Sequence, residues 1–254
     1  MKDKKQKQNS FWLYGFHPVT SAITNKNRKI FEIICCDESF NSLDYKVKKI
    51  ISQKDIDLKI IDKKKLIKIA EEYCQKGAIH QGILAKVKPI EQPQIQDIVK
   101  QDKSIIVILD QITDPHNIGA IMRSAHLFGA KAVIATDKNS PDETGILAKS
   151  ASGALDKIAY IKVTNLKRNI DILKENNYWT VGLDGDSKTN ICDYKVSPKT
   201  VIIMGAEGKG MRRLTKESCD EIVYIETPNS DDIVDSLNVS NAAAIALFEI
   251  SRKI

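Results

Sequence analysis

Residues 104–128 read S-I-I-V-I-L-D-Q-I-T-D-P-H-N-I-G-A-I-M-R-S-A-H-L-F. Ser104 to Leu109 is a nearly unbroken apolar run, the composition of a strand covered on both faces in a parallel sheet. The polar stretch Asp110 to Asn117 reads as a loop, and Ile118 to Phe128 as a helix stopped by Gly129. A second strand follows at Ala132 to Thr136. The rhythm continues with strands expected at Ile158–Val163, Trp179–Leu183, Val201–Met204 and Ile222–Ile225, and a last helix from Val239 to about Arg252. Strands alternating with helices predict a three-layer α/β sandwich over residues 104–254.

Upstream the pattern is smaller and more basic. Strands are expected at Lys29–Cys36, Leu58–Ile61 and Gly82–Val87, with helices starting at Pro18 and covering Leu43–Ser52 and Lys65–Tyr73. Residues 11–88 thus read as a small α/β domain, preceded by a short basic disordered arm (1–10) and followed by a proline-containing linker (89–103). Residues 1–88 carry 19 Lys and Arg against 10 Asp and Glu, a net of +9, whereas residues 89–254 carry 20 against 23, a net of −3. Charge concentrated at one end suits a polyanionic partner, although a lysine-rich solvated face has the same composition.

Several classes drop out. No apolar run is long enough to cross a bilayer, and the charged N-terminus has no apolar segment behind it, so neither a membrane partner nor a secretory signal is expected. Cys35, Cys36, Cys74, Cys192 and Cys219 form no C-x-x-C pair, and the four histidines are scattered, so no metal site follows and reduced thiols in a cytoplasm are expected.

In sheets of this kind ligands gather in the loops at the carboxyl ends of the strands. Three of those loops stand out. The first, Asp110 to Gly119, leads into a helix that carries Arg123 six residues beyond Asn117, so that both are expected on one side and Arg123 beside a cavity or an anion. Asn117 is also a natural N-cap for that helix. The second, Met204 to Met211, holds Gly205, Gly208 and Gly210, which allow positive φ and close backbone approach. It is neither a Walker A loop nor a dinucleotide fingerprint, because no Lys-Ser or Lys-Thr follows Gly210 and position 213 is arginine. The third, Ser236 to Ala244, opens the last helix, with Ser236 or Asn238 as its cap and a run of alanines that predicts close helix packing.

Taken in order, D-P-H-N-I-G-A-I-M-R-S-A (114–125), I-M-G-A-E-G-K-G-M-R-R-L (203–214) and S-L-N-V-S (236–240) closely resemble the motifs of the SpoU (TrmH-like) class of SPOUT RNA methyltransferases. Tyr14–Val19 and Gly77–Val87 resemble the beginning and end of the substrate-binding domain of that class, so the similarity spans nearly the whole chain. It is strongest to the enzymes that methylate a guanosine ribose of 23S ribosomal RNA.

The resemblance implies a deep trefoil knot near the C-terminus, S-adenosyl-L-methionine as cofactor, a homodimer, and a large-subunit ribosomal RNA partner rather than DNA. It places Arg123, Asn117, Glu207, Asn238 and Ser236 on the family's functional positions, and Gly205, Ile225 and Leu237 on its cofactor contacts. Arginine stays protonated near neutrality, so Arg123 is expected to donate hydrogen bonds rather than take a proton. Methylation of transfer RNA and a non-catalytic RNA-binding or ribosome-assembly role are the alternatives. One departure is the segment 226–235, longer and more acidic than the short glycine-containing loop usual there.

Overall fold

In the computed structural model, which describes residues 10–54, 56–229 and 236–254, eleven strands form two sheets among the described residues. The basic arm therefore lies, apart from Ser10, outside the described residues, as do residues 230–235 of the acidic segment. The chain divides into two units, one of Met1–Glu91 with Asp142–Lys157 and the other of Gln92–Pro141 with Ile158–Ile254.

In the first unit β1 (Phe11–Tyr14), β2 (Ile30–Cys35), β3 (Asp57–Ile60) and β4 (Ile83–Val87) lie in the order β1-β4-β2-β3. β4 is antiparallel to both β1 and β2, and β3 runs parallel to β2. Side-chain alternation sends Tyr14, Ile34 and Leu84 to one face, where Leu66 and Ala70 of the helix Lys63–Tyr73 meet them. The helices Phe16–Thr24 and Tyr45–Gln53 pack against each other and bury Val19, Ile23, Val47 and Ile51. β1 was not among the expected strands; its four residues are too few to show a period.

The segment Asp142–Lys157 is a departure from the sequence reading, which left it with residues 104–254. Its helix Gly145–Ala151 packs on β1, and its helical turn Ala154–Asp156 packs on Phe16–Thr24. The fit at Gly145 is close, since a Cβ there would stand 2.5 Å from the Trp12 carbonyl oxygen. Arg28, 3% exposed, holds the segment in place. Its Nη1 donates to Glu143 at 2.6 Å and to the Lys88 carbonyl at 2.9 Å, and its Nε donates to Asp156 at 2.8 Å. Asn25 donates to the same Asp156 carboxylate and Ser21 to the Gly153 carbonyl.

The second unit is a single parallel sheet of β5 (Ser104–Asp110), β6 (Ala132–Thr136), β7 (Ala159–Val163), β8 (Trp179–Leu183), β9 (Thr189–Asn190), β10 (Lys199–Gly205) and β11 (Glu221–Tyr224), ordered β7-β6-β5-β10-β8-β11-β9. Every residue of β5 is buried, as its composition requires. Ile106, Ile108, Ile134, Val201 and Ile203 pack with Leu166, Ile170 and Leu173 of the helix Leu166–Glu175 on one face. The helices Pro115–Leu127 and Val239–Ser251 pack on each other and reach the sheet at β6 and β10. Each large aliphatic side chain so enclosed contributes about 1.5–3 kcal/mol. Three layers result, in agreement with the expected sandwich.

The helix after β5 begins earlier than expected. Asp114 is its cap, accepting from His116 N at 2.9 Å, and Pro115 takes the first position, where no amide hydrogen is needed. Asn117 is therefore not the cap, and its side chain is released for other contacts. Among the described residues, no helix is long and apolar enough to cross a membrane, and no group of three or more His, Cys, Asp or Glu could hold a metal ion.

Candidate active site

β5 and β10 are neighbours in parallel register, with Gly205 opposite Asp110, so the loops that follow them start side by side. After Gly205 the chain turns tightly. Ala206 N donates to the Gly210 carbonyl at 3.1 Å and Gly210 N to the Ala206 carbonyl at 2.8 Å. A Cβ on Gly205 would lie 2.2 Å from Gly210 C and Met211 N, so no larger residue closes this turn. Gly208 and Gly210 take φ of +73° and +62°, the left-handed region that glycine enters without strain.

The turn carries Glu207 to the start of the last helix. Asn238 caps that helix, its Oδ1 accepting from Ser240 N at 2.9 Å and Ser240 Oγ at 2.6 Å. With Oδ1 committed as an acceptor, Asn238 Nδ2 donates both to Glu207 Oε1 at 2.6 Å and to Asn117 Oδ1 at 3.1 Å. Asn117 Nδ2 then faces Glu207 Oε1 at 3.4 Å, closing a three-membered ring. Val239 N adds a third donor to the same carboxylate oxygen, at 3.3 Å. Each bond direction in the ring follows from the cap, because an amide that accepts through oxygen must donate through nitrogen. The three motifs thus meet through Asn117, Glu207 and Asn238.

Arg123 is not part of this ring. It is exposed and makes no polar contact among the described residues. Six residues of α-helix turn the chain to about 120° from Asn117, so the two do not share a side as expected. Ser236 is exposed two residues before the cap. Gly205 ends β10, the half-buried Ile225 directly follows β11, and Leu237, 36% exposed, precedes Asn238.

A second polar feature escaped the sequence reading. Asp110, at the end of β5, is completely buried, and its carboxylate accepts from Arg212 N at 2.9 Å and Arg212 Nε at 2.7 Å. A carboxylate closing an otherwise apolar strand was the available signal, since such a charge is retained only with a partner. Beside this pair lies an open cleft of about 500 Å³ lined by Gln111, Thr113, Asn139, Lys209 and Arg212 and by the backbone of the turn. Asn139 Nδ2 donates to Gln111 Oε1 across it at 3.2 Å.

Residues 104–248 match the SpoU rRNA methylase family, and residues 12–93 match the substrate-binding domain of RNA 2′-O ribose methyltransferases. The 23S rRNA (guanosine-2′-O-)-methyltransferase RlmB of Escherichia coli K12 is 44% identical over 181 residues, covering 70% of this chain and 73% of that protein. The enzyme of the same name from Haemophilus influenzae is 35% identical over 246 residues, covering 95% and 97%. The SpoU methyltransferase AviRb of Streptomyces viridochromogenes, solved with AdoMet, has the same fold, with a TM-score of 0.79 at 19% identity over 100% of this chain and 93% of that one. With its motifs joined in one ring and both of its domain types matched in order, the chain belongs to the SpoU rRNA methylase family.

Proposed function

We propose that the protein is an S-adenosylmethionine-dependent methyltransferase that modifies the 2′-hydroxyl of a guanosine in 23S ribosomal RNA. The observation that carries this reading is the ring Asn117–Glu207–Asn238, which ties the three loops together at the carboxyl ends of parallel strands. Residues 203–214, and 236–240 after them, are built to fix those loops rather than to bind a phosphate-rich cofactor, since the turn holds its own backbone closed.

When bound, S-adenosylmethionine supplies a methyl group on a positively charged sulfur. The residues available to hold it fit a partly apolar adenosyl moiety. Gly205 offers its backbone at the end of β10, and the half-buried Ile225 and the part-exposed Leu237 offer apolar surface. The ring positions the starts of two helices, and Ser236 stands at the entrance to the second. The Arg123 guanidinium carries hydrogen-bond donors and no acceptor, so its role is to donate to the substrate phosphate and to stabilise the developing alkoxide.

The finer features of the family follow as part of the same reading. A homodimer is supported by the exposed Leu127, Ile245 and Phe248 on two helices that already pack together, where Phe128 and Phe248 stack edge to face at 6.1 Å. A trefoil knot is supported by the strand order, in which β10 enters between β5 and β8 before the chain returns from β11 to a helix packed on Pro115–Leu127. The substrate places the work in the cytoplasm. The exposed Lys63, Lys64 and Lys65, with the net +9 of residues 1–88, suit the RNA.

Transfer of labelled methyl groups to purified 23S ribosomal RNA, with transfer RNA alongside, tests the assignment. Labelling of the ribosomal RNA at a guanosine ribose is expected, and labelling of transfer RNA alone refutes it. Arg123→Ala is expected to abolish turnover nearly completely while cofactor affinity stays close to wild type.

A further inference from the structure

Resting on the reading just given, we propose that the cleft beside the Asp110–Arg212 pair is a binding site for an RNA phosphodiester, with Lys209 and Arg212 as its anion ligands and Asp110 as the residue that positions Arg212.

The argument starts from Asp110. A fully buried carboxylate must be satisfied by hydrogen bonds, and Arg212 supplies two of them, one from its backbone and one from Nε. That arrangement fixes the near edge of the guanidinium. The far edge, Nη1 and Nη2, has no acceptor among the described residues, and the Arg212 side chain remains 50% exposed. The two amino groups form the planar fork that suits a phosphate. Lys209, exposed on the neighbouring turn and likewise without a side-chain partner among the described residues, adds a second positive charge.

The rest of the lining has the same preference. Gln111, Thr113 and Asn139 are neutral hydrogen-bonding groups, and no carboxylate lines the cleft among the described residues. Among the described residues a cation meets no carboxylate here, whereas an anion meets two positive charges.

Sheet order distinguishes the two anions that the reaction would bring, an RNA phosphate and the carboxylate of the cofactor's methionine. The cleft is built from the loops after β5, β6 and β10, on the β5 side of β10. Ile225, a proposed cofactor contact, follows β11, which lies beyond β8 on the other side of β10. The turn 205–210 serves both, sending Glu207 to the ring and Lys209 to the cleft. The phosphate held here is therefore one next to the ribose presented to the ring.

Filter binding of in vitro transcribed 23S ribosomal RNA across a salt series, with calorimetric titration of S-adenosylmethionine, tests the site. Lys209→Ala and Arg212→Gln are each expected to weaken RNA binding about five- to tenfold and to lower the salt slope by about one, with cofactor affinity unchanged. Asp110→Asn is expected to weaken RNA binding in the wild-type background but to add nothing to Arg212→Gln, the signature of a residue acting through its partner. If Arg212→Gln does not fold, Lys209→Ala, in an exposed turn, still decides the matter. An unchanged affinity and slope in Lys209→Ala overturns the proposal, as does a loss of cofactor affinity in place of RNA affinity. A wild-type protein that binds the RNA without methylating it, with Lys209→Ala weakened, keeps the phosphate site and removes the methyltransferase reading.

Discussion

The cluster of Arg28, Glu143 and Asp156 in the first unit and the ring of Asn117, Glu207 and Asn238 in the second are both polar networks joining residues distant in sequence. Their burial separates them. The side chains of Arg28, Glu143 and Asp156 are 0%, 6% and 1% exposed, whereas Glu207 and Asn238 are exposed and Asn117 is half-buried. In the first network all three guanidinium nitrogens of Arg28 donate to protein acceptors. In the second, Glu207 directs only Oε1 to its neighbours among the described residues. A closed, dry network specifies structure, and one left open to solvent keeps atoms for a ligand. Within the first network the charges do not balance simply. Burial raises the Glu143 pKa against the pull of Arg28. It would also lower that of Arg28, but the Asp156 hydrogen bond and charge raise it instead.

The comparison can be broken by substitution. The largest effect is expected from Arg28→Met, which strands two buried carboxylates and should lower the unfolding free energy by about 3–5 kcal/mol in urea denaturation. Adding Glu143→Gln and Asp156→Asn should recover part of that loss, and no recovery would mean that Arg28 acts through packing alone. Glu207→Gln should do the reverse, lowering turnover by about 100-fold with little change in melting temperature. If melting falls and turnover per folded molecule does not, the ring is structural and the contrast with the Arg28 cluster disappears. Gly205→Ala is expected to reduce stability by about 1–3 kcal/mol, because its methyl group meets the backbone of Gly210 and Met211.

The smallest effect concerns Glu249 at the end of the last helix. Hydrogen bonds from Arg252, and then Lys253, lower its pKa from the ordinary 4.5 to about 2. A depressed carboxyl contributes stability above its unfolded value and loses it as pH falls toward the folded one. Melting temperature is therefore expected to decline between about pH 4.5 and 2, and Glu249→Gln should flatten that part of the profile.

What could be read in advance depended on how local its cause was. β5 declared itself because a strand covered on both faces needs apolar residues throughout. The turn at Gly205 to Gly210 was legible as a demand for glycine, and the cap at Asn238 as a residue preference. The helix start was misplaced because Asn117 was weighed as a cap, whereas Asp114 followed by Pro115 was the stronger signal. The Asp110–Arg212 pair spans 102 residues, and nothing in either neighbourhood names the other. Arg28 and Asp156 are 128 residues apart, with the same result. Motif resemblance groups Asn117, Glu207 and Asn238, but the ring that joins them links residues up to 121 apart in sequence and exists only in the folded chain.

The excursion of residues 142–157 has a practical corollary for transplanting modules between relatives. A chimera that exchanges only the stretch before residue 92 would pair a foreign arginine pocket with the host's Glu143 and Asp156. Both pieces must travel as a set, and in evolution the two must drift together.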